Sequence, residues 1–210
     1  MVSYNQIAGR GIHRIEALSD GLFAIAMTLI VLEIGVPDPS GIHTEGDLQN
    51  ALRDLGPRIL TYAMSFLTLG IFWNGQQTQV HHLEHADRNF TWIQLAFLAA
   101  VATTPFSTSL LAEFIELRTA LLVYWLNLLA LGLILLWSWN YAVAHGLARA
   151  EATAEVTRAI RRRIVAYQVV YAFAFAVSLT PAGTLVGIAL IVLTQLNSAI
   201  APRIPILSRY

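Results

Sequence analysis

The sequence predicts an all-α integral membrane protein. Only 12% of its 210 residues are charged and its mean hydropathy is +0.59, whereas a soluble domain carries about 25% charged residues. Apolar residues collect into six segments, about 17–36, 58–77, 91–112, 119–143, 163–180 and 183–201, and roughly 20 mostly apolar residues cross a bilayer as a helix. The basic residues, all of them arginine, favour every second connection between these segments. With no cysteine, disulfides and thiolate metal sites are excluded. The arginines form no aromatic-interleaved basic patch, so no nucleic-acid partner is expected.

The first segment begins with charged and small polar residues, runs apolar from Leu22 to Leu32, and stops at Pro37. It exceeds a signal-peptide core and lacks a small-residue cleavage site, so it is expected to be retained. At about 100° per residue, Leu18, Leu22, Ile25, Leu29, Leu32 and Val36 form one stripe with the 4-3 spacing of a coiled-coil seam. Such a face meets copies of itself or another helix, and packing alone also explains it. Thr28, about 60° from the Ile25 direction, is the hydroxyl bordering the stripe, and Asp20 lies about 140° away.

The linker from Pro37 to Gly56 is the longest, and LQNALRDLG within it is expected to form a short surface helix before Pro57 opens the second segment. Pro105 should kink the third segment, which membrane helices tolerate where neighbours satisfy the freed carbonyl. The turn TPAG at 180–183 forces the fifth and sixth segments into a tight antiparallel hairpin. No internal repeat interrupts the chain, so 1–210 reads as a single six-helix transmembrane domain.

With the N-terminus inside, Arg10, Arg14, Arg88, Arg149, Arg158, Arg161, Arg162, Arg163, Arg203 and Arg209 fall on the cytoplasmic side. Arg53, Arg58 and Arg118 fall outside. This bias predicts that both termini are cytoplasmic under the positive-inside rule.

Three groups of residues invite chemistry. His81, Glu84 and His85 match the H-x-x-E-H arrangement of one zinc protease class, but they sit at the end of the second segment. No further acidic ligand follows at helical spacing, so a solvated histidine cluster is expected rather than a metal centre, and no cofactor is called for. Asp20 is followed by three apolar turns and needs a partner within the bundle, because an unpaired charge in a membrane is costly; Arg14, Trp73 and Asn74 are at the right level. Glu33 either concentrates cations at an outer mouth or points at solvent.

Residues 14–21, RIEALSDG, resemble the R-x-x-x-F-S-D-G signature of the endolysosomal potassium channel family, transmembrane protein 175, and its bacterial relatives. The continuation LFAIAMTLIVLEIGVP and IFWN at 71–74 also resemble those proteins. The resemblance implies a bacterial inner-membrane homotetramer with the first helix of each copy lining a central pore, conducting K+ and other monovalent cations. No TVGYG-like filter segment is present. It places the constriction at Ile25, Leu29 and Leu32 with Thr28 in the adjacent polar layer, and gives Arg14, Ser19, Asp20 and Gly21, with Trp73 and Asn74, the task of holding the first helix against the second. Leu18 replaces the signature phenylalanine. Gln76 and Gln77 stand where relatives often carry histidine, so the partner of Asp20 is open to rearrangement. The rival expectations are a proton- or ion-coupled transporter using Asp20, and a membrane zinc hydrolase using the histidine run.

Overall fold

The computed structural model describes residues 11–180 and 183–199. Arg10, Arg203, Arg209, the middle of the TPAG turn and the end of the sixth segment lie outside the described residues.

The long apolar runs become helices because a backbone surrounded by hydrocarbon must bond to itself. Helix α1 spans Ile12–Leu32. It starts five residues before the expected segment and ends at Leu32, followed by Gly35 at φ +69°. Val36 therefore lies beyond the helix and does not continue its stripe. Helix α2, Glu45–Asp54, is the short helix of the linker; Thr44 and Asp47 form a reciprocal capping box at its start, satisfying otherwise orphaned N–H groups.

Helix α3, Gly56–His81, carries Pro57 in its first turn and is bent 43° from α2. Helix α4, Arg88–Ala102, is capped by Asp87, whose Oδ1 accepts the Phe90 N–H at 2.7 Å. The helix is then interrupted at Thr103 and restarts as α5, Thr104–Glu113, with Pro105 in its first turn. The expected kink is thus a one-residue interruption, at which Thr103 keeps right-handed helical dihedrals and its N–H and carbonyl still bond Ala99 O and the Ser107 N–H. Asn127 spans it, accepting from Thr103 Oγ1 at 2.9 Å and donating to Thr104 Oγ1 at 3.0 Å. Helix α6, Arg118–Ala144, leads to Gly146 at φ +67°. Helices α7, Ala154–Ser178, and α8, Gly183–Ala199, are the last among the described residues.

Among the described residues three stretches are long and apolar enough to cross a membrane: α1, the α4–α5 run and α6; α2 with α3 adds a fourth if that bent pair is one span. Helix α7 carries Arg158, Arg161, Arg162 and Arg163 in its first half, and α8 has only 17 residues.

The main core joins Phe23 and Ile30 of α1, Leu69 of α3, Phe97 of α4, Leu111 of α5, Tyr124 and Leu128 of α6, Ala174 of α7 and Ile191 of α8. A smaller cluster gathers Ile12, Ile15, Val80, Leu83, Phe90 and Trp139 at one end. There the α3–α4 and α6–α7 connections are clipped together: Leu83 pairs with Ala148, the Glu84 N–H donates to Leu147 O at 2.9 Å, and the Arg149 N–H donates to His82 O at 2.9 Å.

Helices α7 and α8 pack so closely that a Cβ on Gly187 would lie 2.8 Å from the Ala174 carbonyl oxygen. Backbone cannot step aside as a flexible side chain can. Gly187→Ala is therefore expected to lower the thermal unfolding midpoint in detergent, with an overpacking cost of about 1–3 kcal/mol. Gly21→Ala, where a Cβ meets nothing within 4 Å, should leave it unchanged.

Candidate functional site

Helix α1 has two dissimilar sides. Ile12, Ile15, Ser19, Phe23, Ala26 and Ile30 are buried against the bundle. Leu18, Ile25, Leu29 and Leu32 point away from it, with Ile25 59% and Leu32 71% exposed. Leu22 is half-buried at the edge. The stripe read from the spacing is therefore the side that the chain's own helices leave uncovered. Thr28 lies on the same exposed side, its hydroxyl donating to the Ile25 carbonyl at 2.8 Å, so its lone pairs face outward. Glu33 is the C-terminal cap of α1 and is half-buried.

What fixes this rotation is a chain of buried amides and hydroxyls. Gln76 of α3 donates through Nε2 to Ser19 Oγ at 2.7 Å and to Gln94 Oε1 of α4 at 3.2 Å; Gln94 in turn donates to Ser138 Oγ of α6 at 2.7 Å. All four side chains are essentially inaccessible. Beside them, Gln79 donates to the Leu135 carbonyl at 3.1 Å. Four helices are thus stitched at one level, where an unpaired amide would be expensive.

Asp20 sits next to this chain but on the outside. Its Oδ1 accepts from Trp73 Nε1 at 2.8 Å and from Gln77 Nε2 at 2.6 Å. Of the partners expected for it, Trp73 is present. Asn74 points elsewhere along α3, and Gln77 takes the place at Asp20 because it lies one turn beyond Trp73, on the same face. Arg14 is exposed, and among the described residues it makes no bond to Asp20. Gly21 leaves open space where a side chain would project. Sequence reasoning missed Gln94 and Ser138, although an amide within an apolar segment is itself a sign of a partner across the bundle.

The histidine run does not form a shared helical face. Helix α3 ends at His81, and Glu84 and His85 follow in the turn beyond. His82 Nδ1 lies 2.8 Å from the Thr78 carbonyl and its ring contacts His81 and Trp139. Among the described residues no group of three His, Asp or Glu side chains could hold a metal ion.

A second polar cluster lies deeper along α3. Tyr124 OH is 2.9 Å from Thr68 Oγ1 and accepts from Ser65 Oγ at 3.4 Å; Thr108 Oγ1 donates to Ser65, and Gln195 Nε2 donates to Thr68 Oγ1 at 2.6 Å. It ties α3 to α5, α6 and α8.

Comparison with known proteins places this arrangement in context. The family described as endosomal/lysosomal potassium channel TMEM175 matches residues 14–105, which contain all but the first two residues of α1, all of α2, α3 and α4, and the amide chain except Ser138. A protein of Streptomyces collinus named a potassium channel is 39% identical over 103 residues, 49% of this chain and 48% of that protein. A chicken protein named endosomal/lysosomal proton channel TMEM175 is 36% identical over 108 residues, 49% of this chain and 22% of that one. The chain thus spans about half the length of the first of these relatives and less of the second. Among solved structures, a lysosomal potassium-selective channel TMEM175 homologue from Chamaesiphon minutus superposes with a TM-score of 0.79 at 29% identity, covering 90% of this chain and 96% of that one.

The amide chain and the Asp20 bonds make separable predictions. Gln76→Leu leaves Ser19 and Gln94 short of a buried partner, at a cost of about 1–3 kcal/mol, and should lower the unfolding midpoint of the purified protein. Asp20→Asn keeps an oxygen able to accept from both Trp73 and Gln77, and should leave that midpoint near wild type, whereas Asp20→Leu should lower it.

Proposed function

We propose that this chain, a relative of the endosomal/lysosomal potassium channel TMEM175 family, forms a potassium-permeable cation channel in which α1 helices from four copies surround a central pore. Six membrane-crossing segments per copy, both termini in the cytoplasm and a bacterial inner membrane complete this reading; no catalytic step belongs to it.

The observation that carries it is the outward side of α1. A lipid-facing helix has no need of a carboxylate, yet Asp20 stands on the exposed side of α1, two residues before its apolar run begins at Leu22. Next to the Leu and Ile stripe, Ala17, Gly21, Ala24 and Thr28 form an exposed row of small residues. Small rows let membrane helices approach closely. A neighbouring copy packed on that row would turn Leu18, Ile25, Leu29 and Leu32 toward a common axis and screen Asp20 from lipid. The names borne by the relatives support cation conduction.

On that axis Ile25, Leu29 and Leu32 act as a hydrophobic constriction that closes by dewetting, and Thr28 offers oxygen lone pairs beside it. Potassium loses water more cheaply than sodium, so a narrow apolar ring favours it without a carbonyl filter. Glu33, at the far end of α1, raises the local cation concentration at the mouth. A second reading, a proton- or ion-coupled path using Asp20, draws on the exposed carboxylate and on the proton-channel name of the animal relatives.

Purified protein in a planar bilayer under bi-ionic potassium/sodium conditions tests the reading. Unitary currents reversing toward the potassium potential are expected, and proton-driven flux without unitary current would transfer the function to the Asp20 path. Ile25→Asn should raise conductance or reduce selectivity, and unchanged values would remove Ile25 from the constriction. Gly21→Leu should abolish the tetramer on cross-linking while leaving the helical content of each copy intact.

A further inference from the structure

Away from α1, two open cavities lie along α7, and Arg163 lines the first of them. One, of about 230 Å³, is lined by Phe66, Leu67, Gly70, Ile71 and Asn74 of α3 with Arg163 and Ser198. The other, of about 240 Å³, runs between α7 and α8 and is lined by Ala166, Tyr167, Val170, Leu190, Leu193, Thr194 and Asn197. Because α7 and α8 are antiparallel neighbours, their lining residues fall in order. Arg163 and Ser198 lie at one end, Tyr167 with Thr194 and Asn197 next, and Val170 with Leu190 and Leu193 at the other. Seven residues of helix separate Arg163 from Val170, about 10 Å along the axis. The groove is therefore polar and cationic at one end and apolar along the rest.

The polar end offers donors. Among the described residues Arg163 has no carboxylate partner, and its guanidinium lies 6.0 Å from the centre of the Tyr167 ring. Asn197 Nδ2 and Ser198 Oγ are buried without a hydrogen-bond partner among the described residues. On the other side of Arg163, between α3, α6 and α7, the unpartnered atoms include the acceptors Gln79 Oε1 and Gln168 Oε1. The two carbonyl oxygens there repel an anion, with the Tyr171 hydroxyl as the one unpartnered donor among the described residues on that side. The depth suits a lipid: from Arg163 to Leu179 α7 runs 16 residues, about 24 Å, most of the thickness of a bilayer's hydrocarbon. Arg163 thus stands at headgroup level, with Arg161 and Arg162 beside it.

We propose that this groove is a binding site for an anionic phospholipid, its phosphate on Arg163 with Asn74, Asn197 and Ser198, and one acyl chain along the α7–α8 groove past Leu193. Charge complementarity selects the headgroup, because among the described residues Arg163 has no carboxylate partner and Asn197 Nδ2 and Ser198 Oγ have no hydrogen-bond partner, and the apolar groove beyond selects a lipid over a free anion.

Titration of the purified protein in neutral detergent with phosphatidylglycerol, read by native mass spectrometry against phosphatidylcholine, tests the site without reference to conduction. Phosphatidylglycerol should be retained in preference. Arg163→Gln should weaken retention about tenfold, the scale of one charge-assisted bond, while Arg163→Lys keeps part of it and Arg161→Gln leaves it at wild-type strength. Leu193→Trp, which fills the groove, should also weaken it. Equal retention of both lipids, or an Arg163→Gln protein indistinguishable from wild type, overturns the proposal; the latter is also the outcome if a second copy covers the groove. Displacement of phosphatidylglycerol by inorganic phosphate with Leu193→Trp unaffected overturns it in favour of a free anion.

Discussion

The architecture depends on the cost of leaving an amide unpaired where there is no water. Gln76 and Gln94 lie inside apolar helices, and each finds its partners only when α1, α3, α4 and α6 meet at one level. Packing of apolar side chains against one another in a membrane is permissive about rotation, since lipid tails are as apolar as leucine. The amide chain is not. With Ser19 held by Gln76, α1 can turn only one way, and that rotation puts Ile25, Leu29 and Leu32 on the uncovered side. The orientation of the apolar stripe is thus decided by polar atoms.

The same logic repeats deeper in the bundle. Thr68 and Tyr124 bring α3 and α6 together, and Thr108 and Gln195 extend the contact to α5 and α8. Two polar belts, one near Asp20 and one near Tyr124, bracket the large apolar core around Phe97 and Leu128. Helix α3 contributes to both, which explains why a helix so rich in Thr, Ser and Gln still lies at the centre.

Much of this was legible in the sequence. Hydropathy and proline placement gave the helices, the linker helix and the first turn at Pro57, because those depend on local composition. The stripe on α1 was visible from spacing, although its length was overstated: Pro37 and Gly35 stop the helix before Val36 can join it. Pro105 signalled the interruption of the third segment, but not that Asn127 of α6 would bond Thr103 and Thr104 there. The partners of Asp20 were half legible. Trp73 was expected, and Gln77 displaced Asn74 because helical register, not adjacency to Trp73, decides which side chain reaches the carboxylate. The chain from Ser19 to Ser138 was not read at all: its links join residues 57, 18 and 44 positions apart, and no local pattern encodes such pairings.

The clip between Leu83 and Ala148 has a mechanical consequence. It fastens the connections at the ends of α3, α4, α6 and α7 to one another through backbone bonds, like a rivet through the handles of a pair of tongs. Helices fastened at one end can separate only by swinging about that end, so a small angular change there becomes a larger displacement at the opposite end. At the opposite end the Arg58–Glu113 ion pair ties α3 to α5 and the Thr184 hydroxyl ties α8 to the Glu116 carbonyl, so a swing there must first break those side-chain bonds.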